Sequence, residues 1–406
     1  MIFKKHHKVK FLILGAGPSG LSLAHALLSL GHNTSDIVLL EKEMVPGGLC
    51  RSEIIDNAPL DIGGGHFLEA NNKKALNFLF KFMPEDEWQL FDRISKIQIH
   101  GMEIDHPLEA NLWQLPRHLQ IGYLESIAQA GCVVNKPHPH SFSEWVIWKF
   151  GVDIANQYLL PYNRKIFSMD LSQLGTYWLH KLPNVSFKDT LLSCLESRPT
   201  GQLSAHGRFF YPKKYGYGEV WRRMGGQLGD MLHLNCPIKT IDPVKRVVNN
   251  KWSASYIINT IPWTLWTSYC NMPLEIQKLI YQLKNVSINV DYVPQTLQNK
   301  SHWIYNPDES IAHHRLLLRS NFTNSGRGYW TETNSNRSHP TTGQRFTNEF
   351  AYPVNTLDKP KAIRGILEWA SNHQIIGLGR WGKWEHMNSD VAVSEALDLA
   401  SKLSGL

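Results

Sequence analysis

Residues 9–20 carry the pattern that most narrows what this chain can become. Val9-Lys-Phe-Leu-Ile-Leu is a short apolar run that stops at a glycine, which reads as a buried parallel strand. Gly15-Ala-Gly17-Pro-Ser-Gly20 follows and leads into residues 21–30, apolar at helical spacing. Three glycines so spaced say little alone, but between a strand and a helix they describe a dinucleotide-binding turn. Gly15 admits the tight turn, Gly17 lets the backbone approach a pyrophosphate, and Gly20 allows close helix–strand packing. The phosphates then meet free N–H groups at the helix N-terminus. A second strand, Asp36-Ile-Val-Leu-Leu, ends in Glu41, about twenty residues past the last glycine. A carboxylate there accepts the ribose hydroxyls and repels a 2′-phosphate.

The continuation separates FAD from NAD. Glu41-Lys42-Glu-Met-Val-Pro-Gly47-Gly48-Leu49-Cys-Arg51 resembles the glutamate, paired-glycine and arginine stretch of the FAD superfamily that includes amine oxidases and protoporphyrinogen oxidases. Two adjacent glycines let the backbone lie against the cofactor. Leu60-Asp-Ile-Gly-Gly64-Gly65-His66 narrows the resemblance to UDP-galactopyranose mutases, where a histidine after such a turn approaches the flavin ring. Further segments match that family in order. They are His106-Pro-Leu-Glu109, Pro161-Tyr-Asn163-Arg-Lys-Ile-Phe167, Tyr211-Pro-Lys-Lys-Tyr-Gly-Tyr-Gly-Glu-Val-Trp, Tyr352-Pro, and Gly379-Arg380 through His386 to Asp390-Val391.

The resemblance implies an α/β fold. A discontinuous Rossmann-like FAD-binding domain would take residues 8–70, 205–262 and 352–406. A mainly helical insertion would span 71–204, and a substrate region with a mixed antiparallel sheet 263–351. Residues 237–241 and 252–262 read as strands, with Ile238 touching adenine in the family. Residues 143–158 and 274–283 read as helices, and the helical segment at Pro161 is expected to continue to Trp178. Polar residues 321–345 read as a mobile loop or lid.

The resemblance also assigns roles. Gly15, Gly17, Gly20, Glu41, Lys42, Gly47, Gly48, Leu49, Arg51, Gly64, Gly65, Ile238, Gly379, Arg380, Asp390 and Val391 would hold FAD. His66, Arg380 and His386 would serve catalysis, with Arg380 stabilising the reduced flavin. His106, Glu109, Asn163, Phe167, Lys181, Tyr352 and His386 would face substrate. In the family, N5 of reduced flavin attacks the anomeric carbon of a nucleotide sugar, and the ring reopens and closes as a furanose. FAD would thus act in its reduced form, with NAD(P)H a candidate external reductant.

Several positions depart from the pattern. His106 and Glu109 replace a tyrosine and a glutamine, Phe167 a tryptophan, and His386 a tyrosine. The family's two diphosphate-clamping arginines align near Leu182 and Leu297, with only Lys181 and Lys300 close by. Lysine lacks the bidentate fork, so the exchange is not neutral. Arg222, Arg223 and Arg315 are candidates to compensate. Three readings follow: a mutase on a nucleotide sugar other than UDP-galactose, a hydride-removing flavin oxidoreductase of amine oxidase type, and a non-catalytic flavin binder. Glu109 would suit a cationic substrate under the second.

Composition sets the remaining bounds. The net charge of +7 over 406 residues is mild and dispersed, which accommodates an anionic small substrate and comes with no nucleic-acid motif. Five cysteines, odd in number and without a C-x-x-C pair, argue against a disulfide framework or zinc site and for a reducing cytoplasm. No His-rich stretch has metal-ligand spacing, so no metal is expected. No apolar run approaches the roughly 18 residues of a membrane span. A homo-oligomer is compatible with the sequence.

Overall fold

A computed structural model describes residues 6–179, 185–201, 207–323 and 326–405. Its first sheet is built around His7–Leu14, which is flanked on both sides by parallel strands. On one side lie Ile37–Leu40 and then Leu232–His233, and on the other lies Trp252–Asn259. Ile375–Gly377 extends the far end of Trp252–Asn259 in parallel, while Val247–Val248 and Ile241–Asp242 add antiparallel pairs at its start. The central strands read as continuous apolar runs because both faces are covered. Phe11, Leu12, Ile13 and Leu14 are all fully buried. The helix Pro18–Ser29 packs against this sheet, and Ser389–Leu403 packs on that helix.

The second sheet runs Arg345–Pro353, Asn285–Val293, Tyr329–Asn334, Arg315–Leu317, Trp303–Tyr305, Ser95–Ile99 and Met102–Asp105. All its pairings are antiparallel except that of Trp303–Tyr305 with Ser95–Ile99. Two of its strands therefore come from the stretch expected to be mainly helical. A third strand of that stretch, Trp88–Asp92, pairs with Arg208–Pro212 in a small sheet that also takes Leu68–Glu69. Helices Arg117–Ala128, Phe142–Ile154, Leu160–Phe167 and Phe187–Glu196 make up much of the rest of the insertion.

Three further expectations are corrected. Residues 321–345 are not simply a loop, because Tyr329–Asn334 is an interior strand of the second sheet with Trp330 fully buried. Two of its polar side chains find partners inside the protein. Glu332 pairs with Arg315, and Asn334 Nδ2 donates to the Ile166 carbonyl at 2.7 Å. The helix at Pro161 stops at Phe167, where Ser168 turns left-handed at φ 50°. Residues 237–240 form no strand, since Asn249 takes their backbone groups. Its Oδ1 accepts the Lys239 and Thr240 N–H groups, and its Nδ2 donates to the Pro237 carbonyl. Ile238 is buried there, in irregular backbone.

Candidate active site

The glycine turn is built as its residue types require. Gly15 sits at φ 101°, and a Cβ on it would lie 2.6 Å from Thr260 Oγ1. A Cβ on Gly20 would lie 2.1 Å from the Gly15 carbonyl oxygen, so that helix can approach its strand only without one. Gly17 is the N-cap of Pro18–Ser29 and offers no side-chain cap, and Pro occupies the first helical position. The first N–H groups of the helix are thus left for an external acceptor. Gly47 donates its N–H to the Ala16 carbonyl at 2.8 Å, and a Cβ on Gly48 would come within 3.2 Å of Gly17 Cα. The two glycine backbones pack against each other across the turn, which a side chain on Gly48 would prevent.

Glu41 is buried, with its carboxylate held by the Ala16 N–H at 2.8 Å and the Glu43 N–H at 3.0 Å. A carboxylate offers about four lone-pair sites, so two bonds fix its aim and leave capacity for ribose hydroxyls. Arg51 Nε donates to the Gly48 carbonyl and bolts this turn. The Lys42 side chain lies in solvent beside Glu43 rather than in the cradle, and Val391 is partly exposed. Asp390, at the start of Ser389–Leu403, accepts from Asn72 on one oxygen, while its buried Oδ1 has no partner among the described residues. An orphaned buried carboxylate oxygen at a helix start fits a hydroxyl of a bound cofactor chain.

The ring end of this trough is formed by turn 63–66. Gly64 adopts φ 92°, and a Cβ on it would lie 2.6 Å from Glu332 Oε1. Gly65 donates its N–H to that same oxygen at 2.9 Å. His66 Nδ1 lies 2.9 Å from the Gly64 carbonyl, which can only accept, so Nδ1 carries the proton. Burial, and then the charge of Arg380, push the imidazole down to about 4. His66 is therefore neutral at neutral pH, with Nε2 as a lone-pair acceptor. Arg380 follows Gly379, whose φ of 72° and close approach to Ser19 admit no side chain. Its guanidinium donates to the Ala351 and Met387 carbonyls, which fixes it beneath Tyr352 at 5.9 Å. Cys50 is buried among these groups, its thiol pushed up to about 12 by burial.

Beyond Tyr352 the site continues along the second sheet. His386 packs edge-on against Tyr352 at 5.3 Å. Arg315 Nη2 lies 2.5 Å from Glu332 Oε2, and His314 Nε2 3.6 Å from it. Burial alone would raise the Glu332 carboxyl, but the Arg315 charge and then His314 hold it at about 2. Arg315 faces Tyr352, Tyr162 and Tyr305 electrostatically, and burial raises the phenols of Tyr162 and Tyr352. Tyr162 meets Tyr305 edge-on at 5.4 Å, and His106 lies 5.0 Å from Tyr305. The described groups thus run from Arg380 through Tyr352, Arg315, Tyr162 and Tyr305 to His106.

Other sequence expectations land elsewhere. Glu109 is buried in a separate cavity of about 230 Å³ lined by Ile127, Lys149, Phe150 and Phe187, where burial raises it to about 7. Asn163 spends its amide on the Leu159 carbonyl at 2.7 Å, and Phe167 ends its helix half-buried. Lys181 lies outside the described residues. Arg222 and Arg223 are tied to Glu219, Arg223 also to Glu87, so neither joins the site. Sequence reasoning passed over Glu332, Tyr162 and Tyr305. The alternation Tyr329-Trp-Thr-Glu-Thr was the available signal for the first. Among the described residues no cluster of His, Cys, Asp and Glu could hold a metal, and no helix is long and apolar enough to cross a membrane.

Comparison with known proteins agrees with this fold. Residues 13–82 match the model of the NAD(P)-binding Rossmann-like domain family. A UDP-galactopyranose mutase of Mycoplasma pneumoniae is 23% identical over 421 aligned positions, covering 98% of this chain and 96% of that protein. The crystal structure of a reduced UDP-galactopyranose mutase superposes with a TM-score of 0.86 at 21% identity, over 98% of this chain and 94% of the other. Cyclohexylamine oxidase from Brevibacterium oxydans superposes less well, with a TM-score of 0.65 at 13% identity over 98% and 99%.

Proposed function

We infer that this chain, whose fold is that of the UDP-galactopyranose mutase-like branch of the amine oxidase and protoporphyrinogen oxidase superfamily, is an FAD-dependent mutase that interconverts pyranose and furanose forms of a nucleotide sugar. The observation that carries the reading is Arg315, anchored through Glu332 to the backbone of turn 63–66. A guanidinium there suits an anionic substrate group and opposes a cationic amine. The carboxylate that would have favoured an amine, Glu109, lines a different cavity.

Bound in the trough, reduced FAD would supply a nucleophilic nitrogen toward the anomeric carbon. Gly17 and the helix it caps would take the pyrophosphate, Glu41 the ribose, and Asp390 the polyol chain. His66 presents an unprotonated Nε2, able to accept a hydrogen bond from a donor at the ring end. Tyr352, Tyr162 and Tyr305 form an aromatic wall with hydroxyls for the sugar, while Arg315 faces the leaving phosphate. Arg380, fixed by two carbonyls, adds positive charge at the ring end without moving.

The protein should be purified with FAD, reduced with dithionite, and incubated with a panel of nucleotide sugars. Furanose product from reduced but not oxidised enzyme supports the reading. Bleaching of oxidised flavin by an amine, with no sugar interconverted, would replace it with the oxidoreductase alternative.

A further inference from the structure

We propose that the cavity beside Glu109 is a second ligand site, built to hold a small amine with an apolar body on the Glu109 carboxylate. The site is separate from the cofactor trough and does not depend on the nucleotide-sugar reading.

Glu109 sits in the short turn Leu108–Ala110, and the cavity separates it from helices Arg117–Ala128, Phe142–Ile154 and Phe187–Glu196. The space measures about 230 Å³. An apolar cavity of roughly 150 Å³ holds benzene, so there is room here for a ring with a short chain. Ile127, Val133, Phe150, Val185 and Phe187 make much of the wall apolar. Water filling such a space would lack the roughly two to four polar partners that each molecule needs. The wall therefore asks for a hydrocarbon body.

The hydroxyls and the thiol on the wall are committed within the protein. Thr190 Oγ1 donates to the Ser186 carbonyl at 3.1 Å, and Cys132 Sγ donates to the Lys149 carbonyl at 3.3 Å. Ser186 Oγ donates to Asp189 Oδ2 at 2.6 Å. Glu109 differs. It is 5% exposed, and its carboxyl takes a hydrogen bond from its own backbone N–H but from no other described residue. Burial raises it to about 7, and the charge of Lys149, also on the wall, offsets only part of that rise. A buried carboxylate so poorly compensated favours a cation that can donate to it. An ammonium brings three donors and a charge, whereas a hydroxyl brings one donor and no charge. A carboxylate ligand would meet like charge in Glu109. The head group that fits is an amine.

Flavin-loaded protein should be titrated calorimetrically with phenethylamine and with its neutral isostere 2-phenylethanol, comparing wild type with E109Q and V133F. E109Q keeps the side-chain shape and removes the charge. It should weaken phenethylamine on the order of 10- to 100-fold, the size expected for one charge-assisted contact, and leave 2-phenylethanol within about twofold. V133F, which fills the space, should abolish binding of both, and the flavin absorbance should stay unchanged throughout. Equal amine affinity in wild type and E109Q overturns the proposal, and so does binding that survives V133F. Wild type that shows no saturable binding of phenethylamine overturns it as well. An amine that perturbs the flavin spectrum and is indifferent to E109Q lies in the cofactor trough, which also overturns it.

Discussion

Glu332 reaches from the middle of the second sheet to accept the backbone N–H of Gly65 at 2.9 Å. Its other oxygen pairs with Arg315, so one buried carboxylate sets both the turn before His66 and the cation of the substrate side. Removing one partner of a buried pair leaves the other charge uncompensated, at a cost of about 3–5 kcal/mol. Glu332→Gln should lower unfolding stability by about 3 kcal/mol in urea titrations. A change below about 1 kcal/mol would mean that Arg315 is fully hydrated without it.

Gly15 combines a left-handed backbone with a neighbour in the way of any side chain. Gly15→Ala must shift either Thr260 or the turn, and Thr260 Oγ1 is itself bonded to the Leu14 carbonyl. The first helical N–H groups then lose their aim. FAD affinity should fall at least tenfold by fluorescence titration, while the far-ultraviolet circular dichroism stays near wild type. Undiminished affinity would show that the phosphates sit elsewhere.

Much of the cofactor half could be read from residue order, because its requirements are local. Gly15, Gly17 and Gly20 answer to backbone geometry within one turn, and Glu41 to a strand end at a fixed distance. The substrate half depends on pairings that sequence spacing does not announce. Glu332 looks like one more polar residue in a loop until Arg315, seventeen positions earlier, closes over it across the sheet. Trp88–Asp92 and Ser95–Ile99 lay between helical segments and were absorbed into them, yet their partners are Arg208–Pro212 and Trp303–Tyr305. Glu109 shows the converse error. Its neighbours in sequence match a substrate motif, but its carboxyl faces a different cavity.

Asp390 keeps one buried oxygen without a described protein partner, at the start of a fifteen-residue helix. A hydroxyl of a bound cofactor would satisfy it and gain the helix's favourable N-terminal field. Asp390→Ala should weaken FAD by about tenfold to a hundredfold in equilibrium dialysis, with little change in apoprotein melting. Destabilised apoprotein with normal FAD affinity would instead assign Asp390 to the Asn72 contact alone.

His302 is buried at 4% exposure, and its Nδ1 accepts the Ile94 N–H at 3.0 Å. Accepting requires an unprotonated nitrogen, and burial pushes the imidazole down to about 4. The unfolded chain therefore takes up a proton near pH 6.5 that the native state refuses until about 4. Stability from this group is present above pH 6.5 and is lost as pH falls through that window. Asp61 and Glu109, raised to about 7 by burial, act in the opposite direction, so total stability is a poor probe. Comparing wild type with His302→Asn cancels those shared contributions. The stability advantage of wild type should shrink by about 2 kcal/mol between pH 7.5 and 5, by urea unfolding at each pH. A pH-independent difference would mean that the native imidazole titrates as it does in the unfolded chain, and that the bond from Ile94 is not what the fold uses.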